Sequence, residues 1–153
     1  EYIQLPNPKL TFRHMVEAAR IVDNALGTGY FQEHLSEIEC CWIVLSEDAV
    51  VGYAAVSIGL LKCVAVDPLF RGQGIGTMLT ELRMEYLDSH PLIFADAWVR
   101  PNGYCDSCKT LERFGFTVYE ETEGFYADRK HKCPSCKDVC QCVARRYVKT
   151  NQR

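Results

Sequence analysis

The sequence lacks any apolar run of about 20 residues, the length that a helix needs to cross the hydrocarbon core of a bilayer. Its first residues, 1–6, also lack the charged-then-apolar order of a secretory signal. From these two absences we expect a cytoplasmic protein that has no membrane partner.

An excess of basic residues is missing too. The 17 lysines and arginines are outnumbered by 20 aspartates and glutamates, and the net charge is −3. A protein that neutralises a phosphate backbone needs a positive surface, so we expect no nucleic-acid partner. Two short basic stretches, residues 129–132 and Arg145-Arg146, keep a zinc-ribbon-like nucleic-acid binder as a disfavoured alternative, because most such stretches are solvated faces.

Internal repeats, low-complexity tracts and obvious linkers are absent as well. A chain of 153 residues with 48% hydrophobic content can bury one ordinary core. We therefore predict a single domain over residues 1–153, with a long cysteine-rich loop at about 124–141.

Cysteine, in contrast, is abundant. There are nine, and an odd number cannot all pair within one monomer. Three lie inside apolar runs and are interpreted as core: Cys40, Cys41 and Cys63. The other six are clustered, which in a cytosolic chain favours metal binding over disulfides: Cys105 and Cys108, then Cys133, Cys136, Cys140 and Cys142.

Hydrophobic periodicity predicts an alternation of helices and strands. Apolar residues from Phe12 to Leu26 recur at helical spacing and stop at Gly27, and Asn7-Pro8 offers a cap with a first-turn proline. Further helices are predicted at 30–38, 75–86 and 105–114. Strands are predicted at 1–5, 40–45, 49–57, 60–66, 91–98, 116–121 and 142–149.

The most informative segment is the turn Arg71-Gly72-Gln73-Gly74-Ile75-Gly76-Thr77, between a strand and a helix. Its glycines let the backbone approach a ligand, and the helix supplies free N–H groups and the positive end of its dipole. Such a turn suits an anion, most of all a pyrophosphate. It lacks the Gly-Lys-Ser/Thr of a P-loop and the Gly-x-Gly-x-x-Gly of dinucleotide folds. On the glycines alone, a tight connection with no ligand is an equal alternative.

Together with the preceding Val64-Ala65-Val66-Asp67-Pro68, this turn resembles the acetyl-CoA motif of the GNAT superfamily of N-acetyltransferases, with Arg71-x-x-Gly74-x-Gly76 as its core. Leu111-Glu112-Arg113-Phe114-Gly115-Phe116 resembles the segment before the family's sixth strand. The resemblance covers nearly the whole chain. It implies an α/β (α+β) fold with a mixed, mostly antiparallel sheet of about 6–7 strands and about 4 flanking helices.

The resemblance also implies the reaction, which is direct transfer of an acetyl group from acetyl-CoA to an amine in a ternary complex. The backbone of Val64, Ala65 and Val66 would bind the pantetheine arm, and the amides of residues 72–77 the pyrophosphate. Arg71 stands where the family has Arg or Gln, and a structural role at the turn is as open as a ligand contact.

Direct transfer needs a group that accepts the amine proton and a group that protonates the leaving thiolate. Many GNAT relatives have a tyrosine as that acid where this chain has Leu111. Tyr104 is therefore the candidate acid, with Tyr126 as an alternative. Asp96 is the candidate base, because a carboxylate in an apolar strand must be solvated by a cleft or paired. A strand end facing water and a water-relayed proton path stay open, and the four histidines are interpreted as solvated surface.

The cysteine spacing predicts a metal site. Cys133-x-x-Cys136 can wrap one zinc ion, and Cys140-x-Cys142 adds two sulfurs to close a structural site. A set that includes Cys105 and Cys108 is an alternative, since parallel strands at 91–98 and 116–121 would bring all six cysteines to one edge. Buried thiols or disulfides are the other alternative.

The acceptor is expected to be a small-molecule or peptide amine, and the protein a monomer or homodimer. Residues 27–39 and 124–140 are expected to wall the acceptor site. Because Leu111 replaces the usual acid, an acyl-CoA-binding, zinc-loop interaction module with little or no catalysis is the alternative function.

Overall fold

The computed structural model describes residues 2–6, 9–124, 133–136 and 140–151. Within these residues, seven strands form one sheet in the order β1-β2-β3-β4-β5-β7-β6. All neighbouring strands are antiparallel except β4 and β5, which are parallel. The mixed, mostly antiparallel sheet predicted from the sequence is thus confirmed.

The strands are β1 (Tyr2–Pro6), β2 (Cys40–Ser46), β3 (Ala49–Ser57), β4 (Leu60–Val66), β5 (Leu92–Val99), β6 (Thr117–Glu123) and β7 (Val143–Thr150). The helices of the described residues are α1 (Phe12–Leu26), α2 (Tyr30–His34), α3 (Ile75–Tyr86) and α4 (Cys108–Arg113). The helix predicted at 30–38 is divided into α2 and a 3₁₀ turn, Leu35–Glu37, and the helix predicted at 105–114 begins later, at Cys108. No helix of the described ranges is long and apolar enough to cross a membrane.

Helix α1 begins one turn later than its proposed cap. Thr11 is the N-cap: its Oγ1 accepts a hydrogen bond from the backbone N–H of His14, and its own N–H donates to His14 Nδ1. Asn7 and Pro8 lie outside the described residues. The prediction that the apolar residues at helical spacing face the core is confirmed for Val22, which is buried against the sheet, but is wrong for Phe12 and Val16, which are 85% and 52% exposed. Ala18 is buried there as well.

Two apolar clusters cover the two faces of the sheet. One lies under α1 and includes Ala18, Ile21 and Val22 with Ile43 and Tyr53. The other lies under α3 and α4 and includes Ile75, Leu79, Leu111, Ala95 and Ala97. This layering follows the alternation of side chains along each strand.

Strands β4 and β5 separate early. They pair only at Leu60↔Phe94 and Leu61↔Ala95, whereas β4 stays paired with β3 as far as Val66. Lys62 is an extra residue of β4 between the pairs Ala55↔Cys63 and Val56↔Leu61. Such a bulge bends and twists its strand. The bend at Lys62 therefore accounts for a wedge between β4 and β5, and the β4 edge from residue 62 onward faces no β5 residue.

The position of α3 depends on Gly52 in β3. A Cβ at this residue would lie 2.8 Å from Ile75 Cγ2 and 3.2 Å from Leu79 Cδ1. The missing side chain thus lets α3 pack directly on the strand, which fixes the height of the helix above the sheet.

We expect Gly52→Ala to destabilise the fold by about 1–3 kcal/mol through overpacking, measured by urea denaturation. Gly76→Ala is the matched control, because a Cβ there meets nothing within 4 Å. It lies in α3 and should be neutral or stabilising by up to about 1 kcal/mol. Equal stabilities of the two variants would contradict the close packing of β3 against α3.

Candidate active site

The wedge between β4 and β5 opens into a cavity of about 180 Å³. Tyr30, His34 and Asp96 line it on the α1–α2 side of the sheet, and Arg83 and Leu111 line it on the α3–α4 side. A cavity can be reached from both helical layers only where two neighbouring strands have separated. The cavity therefore runs through the sheet.

Asp96 lies at the narrow end of the wedge. It is the first β5 residue after the last pair with β4, and it lines the cavity. The residue paired with Asp96 on the adjacent strand β7 is Arg146, which forms an ion pair with Glu120 at 3.8 Å. The structure thus puts the candidate base at the cavity and in contact with solvent.

The glycine-rich turn lies between the end of β4 and the start of α3. Gly72 and Gly74 have φ values of 79° and 81°, a backbone conformation that residues with a side chain rarely adopt. Gly74 is the N-cap of α3, and no side chain makes a hydrogen bond at this cap. A Cβ at residue 72, 74 or 76 would meet nothing within 4 Å. The first amides of α3 thus border open space, as the fit of a pyrophosphate requires.

Other residues of the turn have distinct surroundings. Arg71 and Gln73 are exposed, and Gln73 accepts a hydrogen bond from the Tyr2 hydroxyl of β1. Ile75 is buried in the α3 layer, so only its backbone is available to a ligand. Thr77 is half-buried.

Tyr104, the candidate acid, is outside the set of residues that line the cavity and is 54% exposed. A hydrogen bond to Asp106 raises the pKa of its hydroxyl. Asp106 does line the cavity and forms an ion pair with Arg100 at 3.0 Å. The link between Tyr104 and the cavity therefore passes through Asp106. The alternative, Tyr126, lies outside the described residues.

Leu111 is buried and lines the cavity from α4. The residue that stands in place of the usual tyrosine is thus close to the wedge but carries no proton to donate.

His34 is a cavity residue that the sequence analysis missed. It is only 6% exposed, and its Nδ1 lies 3.0 Å from Glu37 Oε2. Burial lowers the pKa of His34, and this effect outweighs the hydrogen bond to Glu37, which acts to raise it. The interpretation as solvated surface was therefore wrong for His34, and also for His14, which caps α1. The stacking of His34 on Tyr30, at 4.3 Å, is an i, i+4 contact that the spacing could have indicated.

The two charged groups nearest the bulge neutralise each other. Lys62 Nζ forms an ion pair with Glu37 Oε1 at 2.5 Å, and the same carboxylate holds His34. The hydrogen bond from Lys62 is the main reason why the pKa of Glu37 is lowered. Lys62, the only amine on β4, is therefore engaged.

Four cysteines lie together beside the wedge. The sulfur atoms of Cys133, Cys136, Cys140 and Cys142 are all within 4.8 Å of one another, and Cys142 Sγ is 3.8 Å from both Cys133 Sγ and Cys136 Sγ. For a Zn–S bond of about 2.3 Å, the edge of a tetrahedron is about 3.8 Å. The backbone amides of Ser135 and Gln141 each lie 3.4 Å from a sulfur, as is usual where amides support metal-bound thiolates. The set therefore fits one zinc ion.

The remaining cysteines separate from this cluster. Cys105 and Cys108 form a disulfide, so the alternative metal set that includes them is not the one the structure has. Strands β5 and β6 both run antiparallel to β7 and are thus parallel to each other, which does bring the six cysteines to one edge. Cys41 is buried and Cys40 and Cys63 are half-buried, in line with a core position.

The basic stretch at Arg145-Arg146 is largely paired. Arg145 Nε is 2.6 Å from Glu121, and Arg146 contacts Glu120. Residues 129–132 lie outside the described residues. A positive surface for a phosphate backbone is not formed by Arg145 and Arg146.

The fold is similar to that of several solved acetyltransferases. A GNAT family acetyltransferase of Elizabethkingia anophelis with acetyl-CoA bound has a TM-score of 0.73 at 12% identity, over 97% of each chain. The ribosomal-protein-S18-alanine N-acetyltransferase of Escherichia coli has a TM-score of 0.69 at 15% identity, over 99% of this chain and 96% of that one. A putative streptothricin acetyltransferase of Bacillus anthracis, in complex with acetyl coenzyme A, has a TM-score of 0.56 at 16% identity, over 74% of this chain and 62% of that one.

No curated protein sequence matches the chain. A family model does, and it covers residues 7–116, from before α1 to the start of β6. This range contains the wedge, the glycine-rich turn and Leu111, and it is more than half of the chain. The chain therefore belongs to the acetyltransferase (GNAT) family.

Proposed function

We propose that this protein transfers the acetyl group of acetyl-CoA directly to an amine acceptor, with both substrates bound in one ternary complex. The observation that carries the proposal is the continuity of the β4–β5 wedge with the glycine-rich turn. The β4 edge from residue 62 to 66 leads from the cavity to the N-terminus of α3. A long substrate with an anionic end and a reactive end can therefore occupy both.

The two ends of this path have complementary chemistry. Backbone groups of Val64, Ala65 and Val66 on the β5 side of β4 are available to hydrogen-bond an extended pantetheine arm, as an added strand would. The amides of residues 72–77 and the dipole of α3 would bind the pyrophosphate. Arg71 is exposed beside them and adds positive charge.

Acyl transfer requires that the amine lose a proton as its nitrogen attacks the thioester carbon, and that the departing sulfur gain one. Asp96 is proposed to accept the amine proton, because it is a carboxylic residue that lines the cavity where the strands part. Tyr104 is proposed to supply the proton to the thiolate by way of Asp106. The pKa of the Tyr104 hydroxyl is raised by Asp106, so this hydroxyl carries its proton at neutral pH.

The acceptor is proposed to be an amine of a small molecule or a peptide. An open groove of about 860 Å³ lies beside the cavity and shares Cys133 with it. The C-terminal part of α1 forms one wall, including Asp23 and Asn24, and Pro134 and Ser135 of the cysteine-rich loop form the other. Gly27 and Thr28 continue the first wall. The groove is therefore bordered by both segments that were expected to wall the acceptor site, 27–39 and 124–140.

The four-cysteine cluster is proposed to hold one structural zinc ion. Four thiolates close a tetrahedral site and leave no position at which water could be activated. When bound, the metal would supply only cross-linking of the loop. That loop contributes Cys133 to both the cavity and the groove. The proposed role of the metal is therefore to position the acceptor wall.

Gly76→Asp should lower the affinity for acetyl-CoA by about 100-fold or more, because two like charges about 4 Å apart repel by several kcal/mol near a protein surface. The fold should remain intact, since an acidic residue in the first turn of a helix is favourable and a Cβ at this residue meets nothing within 4 Å. Gly76→Asn, with the same volume and no charge, should lose less. Calorimetry on the three proteins measures the effect, and unchanged affinity in Gly76→Asp would remove the pyrophosphate site from this turn.

Asp96→Asn should lower kcat by about 100-fold or more while leaving acetyl-CoA affinity unchanged, because it removes only the proton acceptor. Tyr104→Phe should lower kcat by about 10-fold, since solvent can replace a donor that reaches the cavity indirectly. Thiol release from acetyl-CoA with a panel of amines provides the rates. Wild-type protein that binds acetyl-CoA but releases no thiol with any amine would favour the interaction module instead.

Protein purified without added metal should contain about one zinc per chain. Cys133→Ser should lose the zinc and lower Tm by about 5 °C or more, whereas Cys40→Ser, outside the cluster, should keep both. Chelation should weaken acceptor binding and spare acetyl-CoA affinity, which depends on residues 64–77. Metal-free protein in which Cys133 is disulfide-bonded would contradict the zinc assignment.

A further inference from the structure

Arg83 of α3 is a buried cation at the wedge. The residue is 4% exposed and lines the cavity. Its Nη2 donates to Thr80 Oγ1 at 3.0 Å and its Nη1 to the Cys63 carbonyl at 3.4 Å, both neutral acceptors. Its Nε has no hydrogen-bond partner among the described residues.

No carboxylate of the described residues compensates this charge. The electrostatic neighbour of Arg83 is Cys63, whose thiol is neutral because burial raises its pKa. Burial lowers the pKa of Arg83 to about 10, so the guanidinium is still protonated at neutral pH. A buried, hydrogen-bonded but unpaired charge is costly and is normally replaceable by an apolar residue without loss of stability.

The other charged groups that line the cavity are either paired or negative. Lys62 is neutralised by Glu37, and Asp106 by Arg100. Asp96 is an anion on the opposite side of the sheet. Arg83 therefore provides the one unpaired positive charge among the described residues that line the cavity.

The reaction produces a negative charge in the same cavity. The amine nitrogen forms a bond to the thioester carbon, the carbon–sulfur bond breaks, and its electron pair leaves on sulfur as a thiolate. Leu111, which also lines the cavity from the α3–α4 side, has no proton to offer that sulfur. A fixed cation in a low-dielectric site stabilises such a developing anion without reorganisation.

We propose that Arg83 is a catalytic residue that stabilises the coenzyme A thiolate as it leaves, in the cavity where Leu111 provides no acid. The proton that finally neutralises the thiolate comes from Tyr104 or solvent, and Arg83 keeps its own protons throughout. This inference rests on the proposed acetyl transfer for its role in turnover. The anion site itself can be tested without an acceptor.

The first measurement is the pKa of the thiol of bound coenzyme A, followed by the ultraviolet absorbance of the thiolate during a pH titration. With wild-type protein the pKa should be about 1 to 3 below that of free coenzyme A, as expected for a cation within a few ångströms. Arg83→Met removes the charge and keeps the volume, and there the pKa should return to the free value or above it. Arg13→Met, an exposed residue of α1, is the matched control and should behave as wild type.

The second measurement is turnover. Arg83→Met should lower kcat by about 100- to 1,000-fold, with a KM for acetyl-CoA within a few-fold of wild type and an equal or higher Tm. A structural arginine would instead lower Tm and activity together. Arg83→Gln, which can keep hydrogen bonds to Thr80 and Cys63, gives the same test if Arg83→Met does not fold.

An unchanged thiol pKa in a folded neutral variant overturns the proposal, and so does wild-type kcat in that variant. If wild-type protein shows a lowered thiol pKa that depends on Arg83 but transfers acetyl to no amine, the anion site stands and the proposed acetyl transfer fails. The two conclusions are thereby tested separately.

Discussion

The early separation of β4 and β5 is the constraint on which the site depends. Parallel strands normally pair along their length, and here the extra residue Lys62 bends β4 away after Leu61. The separation exposes a strand edge to a ligand and opens the sheet so that both helical layers border one cavity. The close packing of α3 on Gly52 then puts the N-terminus of that helix at the wide end of the wedge. One backbone irregularity thus links the glycine-rich turn to the cavity.

The distribution of charge around the wedge follows from burial. Charges near the surface of the cavity are paired locally: Lys62 with Glu37, and Asp106 with Arg100. Arg83, which is more deeply buried, is hydrogen-bonded only to neutral oxygens. Buried charges are tolerated poorly unless paired, so an unpaired one at a cavity is a functional feature more often than a structural one.

The cysteine-rich loop is tied to the wedge by side chains of β5 and the segment after it. Trp98 of β5 lines the cavity, and Arg100, stacked on the Trp98 ring at 4.2 Å, donates a hydrogen bond from its Nε to Ser135 Oγ at 3.0 Å. The geometry of the loop and that of the cavity wall are therefore coupled through two residues. A loop held in this way can shape the acceptor site without taking part in the chemistry.

Features that depend on local spacing could be predicted from the amino-acid sequence: the helix after Gly74, the strand boundaries to within a few residues, and the Cys133-x-x-Cys136 pair. The positions of His34 and Arg83 at the cavity, and of Tyr104 outside it, depend on tertiary packing and could not be predicted. Arg83 and Cys63 are 20 residues apart, and Lys62 and Glu37 are 25 apart. Burial of such side chains depends on how distant elements pack, and no local periodicity carries that information.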